Sequence, residues 1–104
     1  MPARRTRDPL FSTIWVHVFE EDERGARVYR PDDADIPLSR RPREQLRLDA
    51  NGTARLFVPA PDDRLREEHG TWSEEDEAIV IEGPGGRTYR VVERSPERLV
   101  VRVS

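Results

Sequence analysis

The stretch EQLRLDANGTARLFV, Glu44 to Val58, decides the fold. Leucines alternate with charged or polar residues at Leu46 and Leu48, the chain reaches Asn51 and Gly52, and alternation resumes at Leu56 and Val58. Strand side chains point to opposite faces with a period of two, so each half of the stretch has one apolar face. An Asn-Gly pair between two such runs is a strong hairpin signal, and its usual form is a type I′ turn with positive φ at both residues. The expected element is an antiparallel hairpin that turns Leu46, Leu48, Leu56 and Val58 toward one core.

Reading outward, the same grammar repeats. Downstream, REEHGTWS (66–73), EAIVIE (77–82), RTYRVVE (87–93) and RLVVRVS (98–104) are strand-like runs separated by the turn signals EED, GPGG and RSPE. Upstream, FSTIWVHVFE (11–20) is rich in aromatic and β-branched residues, and ARVYR (26–30) returns after a loop in which Gly25 supplies a positive φ. PDDADIPLSRRP (31–42), bracketed by prolines, is the longest irregular segment and reads as a loop or lid. Residues 1–9, with Arg4, Arg5 and Arg7, read as a flexible solvated arm, followed by a short helical turn; residues 10–104 then form a single domain. Eight short strands at even spacing predict an all-β, antiparallel up-and-down barrel, since closure is the simplest way to protect strand edges.

Composition bounds the function. A chain of 104 residues holds one core, and hydrophobic content of 35% against 38% charged folds only because the apolar residues are ordered in strands. The absence of cysteine excludes disulfides and thiolate chemistry. All 18 basic residues are arginine, which removes lysine-based Schiff-base mechanisms. A net charge of −3 argues against a nucleic-acid partner. The sequence has no run apolar enough for a signal-peptide core or a membrane span, so a cytoplasmic protein with no membrane partner is expected.

The ordered pieces WVHVFEED (15–22), VYRP (28–31), LSR (38–40), NGT (51–53) and GTW (70–72) resemble a group of short bacterial lipocalin-like (calycin-type) single-domain proteins. A Gly-x-Trp at a strand start is the signature of those barrels, met here at Gly70 to Trp72. The resemblance implies the barrel fold and a structural placement of Arg102 over a tryptophan face; Trp15 and Trp72 themselves read most simply as core or barrel-plug residues. It does not carry an activity, because such barrels serve as binders, scaffolds and occasional isomerases or cyclases.

Candidate site residues centre on the first strand. Period two sets Trp15, His17 and Phe19 on one face and Ile14, Val16 and Val18 on the other, where the N-terminal segment or a partner chain is needed as cover. With the aromatic face inward, His17 needs polar partners, for which Tyr29 and Arg30 on the adjacent strand are nearest. A polar anchor in an apolar cavity is then one reading and a hydrogen-bonded core histidine the other. Arg40 and Arg41, in the long loop, are placed either to grip a carboxylate at the barrel mouth or to pair with nearby aspartates. The acidic run Glu20 to Glu23 reads as a solvated turn; no metal or other cofactor is implied. Three functions follow: non-enzymatic binding of a small apolar or amphipathic ligand at the mouth, docking of a partner chain or a second copy by a filled barrel, and a cyclase or isomerase. Interior volume discriminates between the first two, since small barrels fill with side chains.

Overall fold

A computed structural model describes residues 9–62, 64–76 and 78–104. The arm expected over residues 1–9 lies, but for Pro9, outside them. A one-turn helix α1 (Pro9–Ser12) precedes eight strands: β1 (Trp15–His17), β2 (Ala26–Pro31), β3 (Gln45–Leu48), β4 (Thr53–Pro59), β5 (Leu65–Glu75), β6 (Ala78–Glu82), β7 (Thr88–Ser95) and β8 (Arg98–Val103). They close into an antiparallel barrel in the ring order β1-β2-β8-β7-β6-β5-β4-β3. Strands β3 to β8 go up and down in sequence, and the β1-β2 hairpin completes the ring with β2 against β8 and β1 against β3. Both β2 and β3 are antiparallel to β1, so they run the same way. Segment 32–44 must therefore travel from one end of the barrel to the other, which is why this connection is long.

The barrel is packed around its described core residues. Trp15, Tyr29, Leu48, Ala54, Ile81, Leu99 and Val101 are each 0% exposed, leaving no water-sized void against them. Leu46, Leu48 and Leu56 take the interior positions their alternation predicts. One end is plugged by α1, where Leu10 is 2% exposed and its carbonyl accepts the Trp15 indole N–H at 3.2 Å. Phe11 stacks on Trp72 with centroids 5.0 Å apart, and the Trp72 indole N–H donates to the Asp49 carbonyl at 2.6 Å.

This plug corrects the first-strand reading. Of the stretch 11–20, only Trp15–His17 is strand; Phe11 belongs to α1 and Phe19–Glu21 forms a 3₁₀ turn. Phe19 is therefore released from the strand period and sits 54% exposed instead of facing inward with Trp15. Much of the outer face of β1 is already covered within the chain. Val16 is 8% and Val18 1% exposed, and Ala26, Val28 and Val100 form a small outer cluster flanked by Arg30 and Arg98, whose heads are tied to Glu21 and Glu23. Arg102 takes an outward position, because Leu99 and Val101 hold the inward ones, so it does not cover the interior Trp15. The cation over a ring is Arg43, 4.9 Å from the Phe19 centroid.

Two glycines carry structural duties. At Gly52 φ is +95°, while Asn51 is not among the described residues with positive φ, so the expected type I′ turn is not formed. Gly52 N–H donates to the Asp49 carbonyl at 3.1 Å and Asp49 N–H to the Thr53 carbonyl at 2.9 Å. This is a three-residue loop, a tight turn followed by one left-handed glycine, with the Asn51 side chain accepting from Thr53 N–H at 3.0 Å. At Gly70 a Cβ would lie 2.3 Å from the Glu82 carbonyl oxygen. The residue that opens the Gly-x-Trp triplet thus permits β6 to cross close to β5.

Candidate functional site

The end opposite α1 is the open mouth, and its polar groups are placed by strand parity. Tyr29 pairs with Leu99 and Arg27 with Val101, so both side chains of β2 face the interior, Arg27 at the rim. Glu44 precedes β3 and shares the parity of Leu46 and Leu48. Its carboxylate accepts the Tyr29 hydroxyl at 2.7 Å and the Arg27 guanidinium at 3.0 and 3.1 Å. Burial, reinforced by the Glu44 carboxylate, pushes the Tyr29 phenol well above its ordinary pKa. The hydroxyl is thereby fixed as a neutral donor. Across the mouth, Arg87 is held in its charged form first by hydrogen bonding to Tyr89.

The acidic run has a specific role here. Glu20 pairs with Arg43 through two bonds at 2.8 and 2.9 Å, Glu21 with Arg30 at 2.8 Å, Asp22 with His17 at 2.9 Å and Glu23 with Arg98 at 2.8 Å. Four consecutive acids thus hold four different cations or titratable bases, from both faces of the barrel wall. Asp22 also accepts the Val28 N–H at 2.9 Å, and Arg43 reaches the carbonyls of His17 at 3.1 Å and Pro37 at 2.8 Å. Arg43 hydrogen bonding holds the Glu20 carboxyl below its usual range. The result is a laced rim joining the Phe19–Glu21 turn to the long connection.

Two adjoining surface grooves lie on this mouth and share Glu44 and Pro59. One, of about 340 Å³, runs between Phe19, Pro42 and Pro59 with Arg27, Arg41 and Arg43. The other, of about 530 Å³, lies between Val58, Arg66 and Glu68 on one side and Gly85, Arg87 and Tyr89 on the other. Five arginines (27, 41, 43, 66 and 87) against two glutamates (44 and 68) line the pair, a basic excess on a chain whose net charge is −3.

The structure brings His17, Phe19 and Tyr29 to this mouth, with the His17 and Tyr29 ring centroids 5.3 Å apart. His17 finds its polar partner in Asp22, five residues further along the chain, and not in Tyr29 or Arg30. Trp15 is core, Arg30 faces outward to Glu21, and Arg40 is exposed outside the grooves while its neighbour Arg41 lines one. Neither Arg40 nor Arg41 has an ion-pair partner among the described residues. Sequence reasoning passed over Glu44, Arg27 and Arg43. For Glu44 and Arg27 the signal was present in the parity of EQLRL and ARVYR, which puts each on the same face as its core neighbours. No family model matches the chain, and neither the curated proteins nor the solved structures compared with it contain a match.

Proposed function

We propose that the protein is a non-enzymatic interaction module of lipocalin-like kind, a side-chain-filled barrel that serves as a rigid frame and receives a partner chain at its open mouth. The packed core supports this reading: a small-molecule pocket encloses most of its ligand's surface, whereas the grooves here are open depressions on the rim. A chain segment needs no enclosure, and the laced rim of Glu20 to Glu23 offers it a preorganised surface. A lysine-free, cysteine-free, acidic chain suits a bacterial cytoplasm. The basic excess beside the Phe19, Pro42 and Pro59 wall favours a second reading, in which a small amphipathic anion lies along the mouth.

A two-armed experiment separates the readings. Short random peptides displayed on phage are selected against the full chain, and decanoate and 1-naphthoate are titrated into the isotope-labelled protein with amide shifts followed. Enriched peptides that shift mouth amides, with the carboxylates inert at millimolar concentration, are expected. Saturable carboxylate binding with no enriched peptide would replace docking by ligand binding.

A further inference from the structure

We propose that the partner is an extended chain segment that adds as a strand to the open upper edge of β5, an inference that rests on the docking reading above. Strand β5 has eleven residues and β6 only five. On one side β5 pairs with β4 from Leu65 to Thr71; on the other it pairs with β6 only from Thr71 to Glu75. Residues 65–70 are thus bonded along a single edge, although the barrel as a whole is closed.

The phase of the ladder says which groups are left over. Trp72 N–H donates to the Gly52 carbonyl at 2.9 Å and Ala60 N–H to the Arg64 carbonyl at 2.7 Å, bracketing the β4-β5 ladder at both ends. Directly bonded pairs in an antiparallel ladder recur every second residue, so they fall at Ala54 with Gly70, Leu56 with Glu68 and Val58 with Arg66. The alternate residues Leu65, Glu67 and His69 aim their N–H and C=O groups away from β4. Among the described residues no hydrogen bond reaches these groups.

Two features end the ladder on that side. Gly70 lets the end of β6 pass close to β5 at Glu82, and the chain then turns through Gly83 and Pro84–Gly86, which touches β5 without pairing to it, into β7. On the inner face of the same stretch lies the groove of about 530 Å³, walled by Val58, Arg66 and Glu68 and, opposite, by Gly85, Arg87 and Tyr89. Strand addition to such an edge takes its affinity from main-chain bonds and its specificity from alternate side chains.

The charges select the occupant. A second copy pairing about a two-fold at Glu67 would set Glu67 against Glu67, which like-charge opposition disfavours. Along the strand, Glu67 pairs with His69 at 2.6 Å and Arg66 with Glu68 at 3.0 Å, the kind of charged edge that resists self-association. A complementary segment carries a cation opposite Glu67 on the outer face and an acid on the inner face, toward Arg66 and Arg87.

The test uses peptides selected from the phage library against the full chain and then resynthesised. In Glu67→Pro the lost N–H is one that faces the open side, so the β4 ladder is untouched and an edge proline is tolerated. Glu67→Gln removes the charge and keeps the N–H. Affinity is expected to fall about 3- to 10-fold or more in Glu67→Pro, and by less in Glu67→Gln. In the wild-type chain, peptide should slow hydrogen exchange at the amides of Leu65, Glu67 and His69, a readout that holds even where Glu67→Pro fails to fold. Peptides that bind Glu67→Pro as well as wild type, or leave those three amides unprotected, overturn the edge assignment while docking stands. A library that enriches nothing overturns docking itself.

Discussion

Removing the Tyr29 hydroxyl tests the logic of the mouth most directly. The ring is 0% exposed and its O–H donates at 2.7 Å to a Glu44 carboxylate whose side chain is only 13% exposed. A hydrogen bond to a charged acceptor contributes about 1.5–3 kcal/mol. In Tyr29→Phe the acceptor keeps both Arg27 bonds and is not orphaned, so the lower part of that range applies, about 1.5–2 kcal/mol. Glu44→Ala instead leaves a buried hydroxyl without an acceptor and is expected to cost about 2–3 kcal/mol, while Arg27, 32% exposed, is rehydrated. The double variant should cost less than the sum by about 1 kcal/mol, because the two changes remove one shared bond. Urea unfolding followed by tryptophan fluorescence measures all three. A Tyr29→Phe loss under about 0.5 kcal/mol, or strict additivity, would refute the account of Glu44 as the acceptor that fixes this ring.

The same group sets an alkaline limit. Burial first, then the Glu44 carboxylate, raises the folded pKa of Tyr29 above the unfolded value of about 10. The associated stability is complete below that unfolded value and is lost as pH rises through the folded one, because the unfolded chain releases the proton first. Wild type should therefore weaken more steeply than Tyr29→Phe above about pH 10. Parallel alkaline slopes would count against the buried, carboxylate-bound phenol.

Three further outcomes follow from the core and the turns. Trp72→Ala should cost about 2–4 kcal/mol in urea unfolding, from the lost stack on Phe11 and the lost bond to Asp49; a loss below about 1 kcal/mol would mean that the plug does not rest on this ring. Gly52→Val should destabilise by about 1–2 kcal/mol and Gly52→Asn by distinctly less, since only this loop position has positive φ; equal losses would contradict the three-residue turn. Gly70→Ala should cost about 1–3 kcal/mol, because the added methyl meets backbone at Glu82 and Gly83 and not a side chain that can swing aside; a neutral result would mean that β5 and β6 do not approach as described.

Period-two alternation was enough to read the hairpin of Leu46, Leu48 and Leu56 and the count of eight strands, because a half-buried strand writes its face directly into the chain. It failed at FSTIWVHVFE for a physical reason. Apolar residues on both faces gave no period to read, and the chain used the surplus as a plug at Phe11, beside Leu10, and as a rim residue at Phe19. The ring order was equally out of reach, since nothing local distinguishes β2 beside β8 from β2 beside β3.

The mouth divides in the same way. Glu44 and Arg27 were legible by parity, but their meeting with Tyr29 depends on β1 lying between β2 and β3, a long-range fact. The four acids of Glu20 to Glu23 look alike in sequence, and only the closed ring distributes them to Arg43, Arg30, His17 and Arg98. The open edge of β5 is still less visible, because it is a difference between two ladder lengths: seven pairs to β4 against five to β6, sharing only Thr71. A strand-length mismatch of this kind would ordinarily be trimmed or covered in a closed barrel, since an unpaired edge invites association. Here it is instead kept, flanked by Gly70 and the Pro84–Gly86 turn and dressed with paired charges. Retention of a hazardous edge on a barrel with a packed core is the reason to look for the proposed partner along β5 and not inside the barrel.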